Sequence, residues 1–395
     1  MARWRKVGLA VGAVTVAAAA GFFALVPGMV ERGQNGVEPL AKPPSPAAIA
    51  LHDRLVIGDW HSDALLWDRN LTMRADRGHV DLPRLREGNV AVQVFTTVTK
   101  SPSGLNYEAN SAEARDDITL LVIGQLRPPR TWFSLTERAL DQAARLAAMA
   151  ERAPDQLRLL RTRGDLAALL ADRAKGARVV GGLLGAEGGH ALEGDLANLD
   201  RLYAAGFRLM GLTHFFDNEL GGSLHGQGGG TGPGTGLTDF GRQVVEGMQA
   251  RGMVIDLAHA SPQMARDVLA MEGTRPIVSH TGIYSQCQTH RNFPDDLMQA
   301  IAAKGGVIGI GFWADVTCDA SPDGVAQSIL AAIRLVGANH VSLGSDYDGA
   351  VTVGFDAGQL ASLTDALLRA GLDEDTIAKV MGGNMMRYLA ETLPD

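Results

Sequence analysis

From Leu51 onward, short apolar runs of strand length alternate with helical patterns, and this alternation constrains the fold more than any other feature of the chain. Strands that are apolar along their whole length belong to parallel sheets buried on both faces, and parallel neighbours need a crossover that is usually helical. The predicted strands lie near residues 55–61, 90–97, 178–186, 207–213, 252–258, 276–280, 306–311 and 340–345. Eight such units predict an α/β fold, the (β/α)8 TIM-type barrel.

Helical patterns between these runs support the same fold. Clear examples are Leu135–Glu151, Phe240–Ala250 and Pro262–Met271, and Ser261 is the expected N-cap of the last, followed by proline at the first helical position. The length of 395 residues fits one barrel with insertions. No internal repeat of about 20–50 residues is evident, which argues against solenoids and propellers.

Composition favours a compact enzyme and excludes one class of partner. Hydrophobic residues make up 46% of the chain and charged residues only 20%, so the chain can bury a large core and does not resemble a disordered protein. The formal net charge is -8. Because no basic surface is indicated, we expect no binding to nucleic acid.

The N-terminus is expected to be a hydrophobic helix that enters a membrane. Basic residues within the first six precede an uncharged stretch at 7–26, and about 20 apolar residues are enough to cross a bilayer. Since basic residues stay on the cytoplasmic side, the rest of the chain would be periplasmic or extracellular. We expect residues 1–27 to be a signal anchor in the cell membrane, or a signal peptide if the chain is cleaved near 17–20 and secreted.

The part of the chain after the N-terminal helix is expected to begin with a linker and contains two cysteines. Residues 28–45 are rich in glycine and proline and predict a flexible tether, which leaves 46–395 as the folded domain. The only cysteines are Cys287 and Cys318. In an exported protein they can form a disulfide, and two buried free thiols are the alternative.

Several predicted strands end in a histidine or a carboxylate, and barrel enzymes collect their chemistry at these ends. His61 and Asp63 are two residues apart, so their side chains point to the same face. Glu187 follows an apolar run, and its two oxygens could bridge two cations, with a buried salt bridge as the alternative. His259 and His280 end consecutive strands, where a lone histidine would more often belong to the core. Nitrogen and oxygen ligands without thiolates favour zinc.

Three further residues are candidates for contact with a substrate. His214 and Asp346 also end apolar runs, where a carbonyl group or a water molecule would lie, although Asp346 could be a structural carboxylate. Arg291 lies in the loop after the sixth predicted strand and could bind a carboxylate through two hydrogen bonds, or be an ordinary surface arginine. The glycine-rich stretch 221–236 lacks the spacing of a phosphate-binding loop and predicts a mobile loop near the site.

In their order along the chain, these segments resemble the membrane dipeptidase (renal dipeptidase) family, zinc metallopeptidases with amidohydrolase-type barrels. The resemblance covers most of the chain from about Ile57 to Gly349. Its motifs are Gly236-Leu-Thr-Asp-Phe-Gly-Arg-Gln-Val-Val, Ile255-Asp-Leu-Ala-His-Ala-Ser, Val278-Ser-His-Thr, Arg291-Asn-Phe-Pro-Asp-Asp and Gly344-Ser-Asp-Tyr-Asp-Gly. Several motifs in the correct order make this a specific match.

The resemblance implies two Zn2+ per chain that share one carboxylate. His61, Asp63 and Glu187 would hold one ion, and Glu187, His259 and His280 would hold the other. The implied reaction is hydrolysis of the peptide bond of dipeptides by a metal-bridged hydroxide, with Glu187 as the bridging residue.

The same resemblance assigns the remaining candidates. His214 would steady the carbonyl oxygen of the substrate, Arg291 would bind its terminal carboxylate, and Asp346 would transfer protons. The family also pairs cysteines at positions similar to Cys287 and Cys318, which favours the disulfide. The sequence does not determine the oligomeric state, and a homodimer is one possibility.

Two alternatives to a dipeptidase are compatible with the sequence. The metal site could act on other amides, such as a β-lactam or an N-acyl amino acid, because the family's chemistry tolerates them and the loop at 221–236 is unusually rich in glycine. A non-catalytic binding barrel tethered to the membrane would be expected to have lost ligands, and none of the five is lost. The Gly-x-Ser-x-Gly context of serine hydrolases is missing around Ser279 and Ser345.

Overall fold

A computed structural model describes residues 20–227, 229–230 and 234–395 of the chain. Within them, one parallel sheet forms the centre of the fold. Its strands are β1 (Ile57–Asp59), β2 (Val90–Thr97), β3 (Leu157–Leu159), β4 (Val180–Ala186), β5 (Phe207–Gly211), β6 (Val254–Asp256), β7 (Val278–Thr281), β8 (Ile308–Ile310) and β9 (Val341–Leu343).

The strand order closes the sheet into a barrel. Eight strands follow each other in the order β6-β5-β4-β2-β1-β9-β8-β7, and β3 lies off this path, paired with β4. A parallel bridge between Asp256 in β6 and Ile277, next to β7, joins the two ends of the path. The (β/α)8 barrel expected from the sequence is therefore confirmed.

All eight predicted strands are present, but β3 was not predicted. It has three residues with Arg158 at its centre, so it offers no continuous apolar run. It pairs with β4 from Leu157 to Leu159. A strand this short is held by its neighbour and leaves almost no signal in the sequence.

Helices connect the strands. They are α1 (described from residue 20 to residue 34), α2 (Pro46–His52), α3 (Leu82–Glu87), α4 (Asp117–Gly124), α5 (Leu135–Arg152), α6 (Arg163–Ala174), α7 (Ala197–Ala205), α8 (Asp239–Ala250), α9 (Pro262–Ala270), α10 (Asp295–Ala303), α11 (Ala314–Thr317), α12 (Pro322–Val336), α13 (Ala361–Arg369), α14 (Glu374–Ala378) and α15 (Asn384–Thr392). The three helices predicted by name are found with their ends within one residue. The expected cap is present, because the Ser261 side chain accepts a hydrogen bond from the Met264 amide.

The register of the longest strands brings their carboxyl ends to one level. β2 and β4 are buried along their whole length and pair from Val92 opposite Gly181 to Thr97 opposite Ala186. The Glu187 amide then donates to the Thr97 carbonyl at 3.1 Å. Glu187 is thus fixed at the mouth of the barrel by backbone pairing alone.

The predicted membrane span at 7–26 falls largely on residues 1–19, which lie outside the described residues. Within the described part, no helix combines the length and the apolar character needed to cross a bilayer.

The segment expected to be a flexible tether, 28–45, contains the end of α1 and is packed on the barrel. Glu31 is only 1% exposed and forms ion pairs with Arg69 and, at 2.6 Å, with Arg77. The Val353 amide donates to the Gly36 carbonyl at 3.0 Å. The high glycine and proline content concealed this helix because buried charge, and not an apolar stripe, attaches it.

Candidate active site

Side chains from four strand ends converge on Glu187. Its Oε1 atom lies 3.3 Å from His61 Nε2, 3.5 Å from His259 Nε2 and 3.6 Å from His280 Nε2. The Nε2 atoms of His259 and His280 are themselves 2.9 Å apart. Since each of these three histidines is at most 2% exposed, the cluster is shielded from bulk water on most sides.

The other predicted residues surround this cluster. His61 Nε2 lies 3.5 Å from Asp63 Oδ1 and 3.8 Å from Asp346 Oδ1. His214 Nε2 lies 3.4 Å from the second carboxylate oxygen of Glu187. The structure therefore brings all five predicted metal ligands together with His214 and Asp346, although they are spread over nearly 300 positions of the sequence.

Three sets of residues have ligand atoms within 4.8 Å of one another, and they do not coincide with the predicted division between two metals. They are His61 with Asp63 and Asp346, Glu187 with His214 and His259, and His61 with Asp256 and His280. Asp256 was not predicted, and its carboxylate already accepts from the Ser279 amide at 2.8 Å and the Ala258 amide at 3.0 Å. We interpret Asp256 as a structural residue that joins the end of β6 to β7.

Two site residues have strained backbones. His259 and Asp346 have φ angles of 62° and 59°, in the left-handed region that non-glycine residues rarely adopt. Such strain costs on the order of 1–3 kcal/mol and persists where surrounding contacts impose it, often at functional sites. Both residues follow a barrel strand, so the strain turns their side chains into the mouth.

Hydroxyl groups behind the cluster fix the orientation of its ligands. Thr96 Oγ1 donates to Asp63 Oδ1 at 2.6 Å. Ser279 Oγ lies 2.8 Å from His280 Nδ1, which leaves His280 Nε2 facing Glu187. Supporting contacts of this kind set the tautomer and direction of metal-binding histidines.

The pKa values of the clustered residues shift in opposite directions, which separates charged groups from neutral ones. Burial raises the pKa of Glu187, but the neighbouring His214 and His61 outweigh it, so this pKa lies well below its usual value. Burial lowers the pKa of His61, yet the carboxylates of Glu187 and Asp63 hold it well above the ordinary value. Burial lowers the pKa of His259 and His280 well below theirs, and both are therefore neutral at pH 7.

The carboxylates beside His61 repel each other. Burial raises the pKa of Asp63, and the charge of Glu187 adds to it. Burial raises the pKa of Asp346 well above normal, with Asp63 and Glu187 contributing. Carboxylates that repel one another in a buried site are the environment that a divalent cation stabilises.

The residues present fit a metal site. Glu187 Oε2 and His259 Nδ1 are buried and take part in no hydrogen bond with the described residues. The donors are imidazole nitrogens and carboxylate oxygens, with both cysteines of the chain joined in a disulfide. Nitrogen and oxygen donors of this type suit zinc.

Comparison with known proteins identifies the family of this chain. The family described as membrane dipeptidase (peptidase family M19) matches residues 47–393. The chain belongs to this family. The dipeptidase aclJ of Aspergillus oryzae is 28% identical over 364 residues, which cover 86% of this chain and 78% of that protein. An uncharacterised dipeptidase of Schizosaccharomyces pombe is 27% identical over 327 residues, covering 80% and 72%.

Solved structures share the fold of this membrane dipeptidase family member. The dipeptidase AC, a metallopeptidase, superposes with a TM-score of 0.71 at 24% identity, covering 86% of this chain and 99% of that one. A Rhodobacter sphaeroides metallopeptidase, solved with a phosphinate mimic of the dipeptide L-Ala-D-Ala, gives a TM-score of 0.68 at 24% identity and the same coverage.

A cavity of about 430 Å³ opens above the cluster, and it includes residues that sequence reasoning missed. Asp63, Glu187 and Asp346 form part of its polar floor. Tyr107 and Trp313 line its side, where the Trp313 indole donates to the Tyr107 hydroxyl at 3.1 Å. Tyr107 lies in a loop without a pattern, whereas Trp313 follows a predicted strand by two residues and could have been noticed there.

Arg291 also lines the cavity and is not a surface residue. It is 1% exposed, and its Nη2 lies 3.0 Å from the His280 carbonyl oxygen and 3.1 Å from His259 Nε2. The Cys287–Cys318 disulfide, expected from the family resemblance, is present. The disulfide joins the loop that carries Arg291 to the end of α11, the short helix that begins directly after Trp313.

Proposed function

We propose that this member of the membrane dipeptidase family hydrolyses the peptide bond of dipeptides with two bound zinc ions. The observation that carries the proposal is the convergence of four imidazoles on the buried carboxylate of Glu187, at the floor of a cavity of about 430 Å³. A free dipeptide is small enough for a cavity of this size.

The proposed ligands are the five predicted from sequence. His61, Asp63 and Glu187 would hold one zinc ion, and Glu187, His259 and His280 would hold the other. When bound, the ions would activate water near neutral pH and polarise the scissile carbonyl. The positions of His61, His259 and His280 support this assignment, because the Nε2 atom of each lies within 3.6 Å of Glu187 Oε1.

His214 is proposed to stabilise the oxyanion. Its Nε2 faces Glu187 at 3.4 Å, and the residue lines the cavity, so a donor is available beside the reacting carbon. One well-placed donor of this kind contributes on the order of 3 kcal/mol to the stability of the transition state.

Asp346 and Arg291 are proposed to act on the two ends of the reaction. Asp346 accepts the proton of the attacking water and passes it to the leaving amine, and its position near His61 places it at the floor. Arg291 binds the free carboxylate of the substrate, which would favour dipeptides over longer chains. Its complete burial makes that contact strong because water does not compete for the guanidinium.

The chain's location is part of the proposal. We place the barrel outside the cytoplasm, held at the membrane by the N-terminal segment or secreted after its cleavage. The disulfide supports an oxidising compartment.

The test combines a metal count with a substrate panel. Purified protein should contain two zinc ions per chain and hydrolyse dipeptides, and dialysis against a chelator should abolish turnover until zinc is restored. The panel should compare L-L dipeptides, L-D dipeptides, an N-acyl amino acid and a carbapenem. Turnover of the amides without any dipeptide turnover would overturn the substrate, and fully loaded protein inactive on all of them would support a binding barrel instead.

A further inference from the structure

The helix that precedes the family domain takes part in the cavity. The family match begins at residue 47, whereas α1 ends at residue 34. Nevertheless Val30 and Gln34 line the same cavity as Glu187 and Arg291. They are four residues apart and so lie on one face of the helix. A segment outside the matched family domain therefore borders the candidate active site.

Buried charges attach α1 to the loop that carries Asp346. Glu31 is paired with Arg69 and Arg77, and Arg69 is paired in turn with Asp348. Asp348 is completely buried and accepts from the His79 amide at 2.6 Å. These contacts link the helix to Asp348, and removing one partner of a buried ion pair would leave an uncompensated charge.

Two hydrogen bonds continue the attachment beyond α1. The Ala350 amide donates to Asn35 Oδ1 at 2.9 Å, and the Glu38 amide donates to the Val353 carbonyl at 2.8 Å. Ala350 and its neighbour Val351 also line the cavity. The helix and the loop after β9 thus form one continuous wall.

The cavity that Val30 lines has an apolar flank. A separate buried cluster forms this flank and contains Leu66, Trp67, Val98, Ile118 and Val122, with Leu121 packed against it. Leu66, Trp67, Val98, Ile118 and Leu121 line the cavity together with Val30. This apolar flank contrasts with the carboxylates and histidines of the floor.

We infer that the apolar flank and α1 form a subsite for a hydrophobic side chain of the dipeptide, with Val30 and Gln34 as specificity-determining residues. This inference rests on the proposed dipeptidase function. A bulky apolar substrate side chain would displace water from the flank and contact Val30, whereas glycine or alanine would leave it unfilled.

The first test fills the subsite. In Val30→Trp, kcat/KM for dipeptides with a large apolar residue should fall about tenfold or more relative to kcat/KM for Ala-Ala, since pocket contacts discriminate by about 10–200-fold. Met29→Trp is the matched control, because Met29 is its neighbour on α1 and 68% exposed, and it does not line this cavity. An unchanged ratio in Val30→Trp would overturn the inference.

A chemical version of the same test uses the lack of free thiols in the chain. Gln34→Cys modified with a bulky maleimide should lose turnover of large dipeptides more than of small ones. Gly33→Cys carrying the same group should keep the wild-type ratio, because Gly33 is exposed, a side chain there meets open space, and the residue borders no part of the cavity. Equal effects at both positions would contradict a subsite at Gln34.

A readout without substrate separates this inference from the proposed function. In Glu31→Ala, or in the more conservative Glu31→Gln, hydrogen exchange at the Ala350 and Val353 amides should accelerate at least about tenfold, since their acceptors lie just after α1. Unchanged exchange would show that Glu31 does not hold α1 in place. It would overturn the inference that α1 and the loop after β9 form one wall. Faster exchange in a protein whose wild type hydrolyses no dipeptide would uphold the wall and reject the dipeptide as its occupant.

Discussion

The floor of the cavity comes from strand ends, whereas its rim comes from loops and from α1. The floor residues lie at the carboxyl end of a barrel strand or within three residues beyond it, and they are His61, Glu187, His259 and His280. The rim residues share no pattern and are Val30, Tyr107, Arg291 and Trp313. The difference teaches that a barrel encodes its chemistry at regular places and its selectivity at irregular ones, as expected when function lies on loops held by a rigid scaffold.

The largest effect is expected from a substitution in the floor of the cavity, at Glu187. Glu187→Gln keeps the shape of the side chain but removes the charge that the two proposed zinc sites would share, so kcat/KM for dipeptides should fall by more than about 1000-fold and zinc content should drop. Kinetics and elemental analysis on the same preparation measure both. Glu219→Gln, at an exposed position, is the control. Near-normal turnover in Glu187→Gln would show that Glu187 is not the bridging ligand.

Removal of the disulfide should loosen the rim and spare the floor. Cys287 and Cys318 close a loop with a sequence separation of 31, and the chain-entropy estimate for such a loop is about 3–4 kcal/mol. The double serine variant should lose about that free energy of unfolding in urea, with an unchanged zinc content. Reduction of the wild type should reproduce the loss. A fall in zinc content with unchanged stability would reverse the assignment of the crosslink to the rim.

Substitutions of His214 test whether this residue stabilises the oxyanion or binds a metal. His214→Ala should lower kcat/KM by about 100–1000-fold while both zinc ions stay bound, because the residue is assigned to the oxyanion. His214→Gln should recover part of the rate, since its amide can still donate a hydrogen bond. Loss of one zinc ion in either variant would instead make His214 a ligand, as its grouping with Glu187 and His259 permits.

Behind the floor, His190 should make stability depend on pH. Its ring is buried without hydrogen-bond partners among the described residues, and burial together with His214 lowers its pKa to about 3. The unfolded chain therefore binds this proton first as the pH falls below about 6.5, and the folded state loses stability down to the folded pKa. Between pH 6.5 and 5.0 the loss should be about 2 kcal/mol. Urea unfolding of the wild type and of His190→Leu at several pH values measures this loss. If the free energy of unfolding changed equally with pH in both proteins, the role of His190 would be refuted.

The floor could be predicted from the sequence because each ligand follows an apolar run whose period and length indicate a buried strand. Parallel strands end at one edge, so ligands at the ends of different runs must meet there. The direction in which each side chain points was not predictable from spacing. His259 and Asp346, for instance, are redirected by left-handed backbones that nothing in their sequence requires.

The rim was largely hidden from sequence reasoning. Tyr107 reaches the cavity through an irregular loop, and α1 is held by Glu31 through charges that lie far away along the chain. Charged pairs at long separation leave no periodic signal. A glycine-rich and proline-rich segment was therefore expected to be a tether, although part of it packs as a helix.

The central claim is tested most directly by titrating metal-depleted protein with zinc while following hydrolysis of one dipeptide. The account predicts that activity stays low at one equivalent per chain and reaches its plateau at two equivalents. It also predicts that Glu187→Gln shows no such plateau. Full activity without zinc, or none at two bound equivalents with any dipeptide, would contradict a paired zinc site built on Glu187.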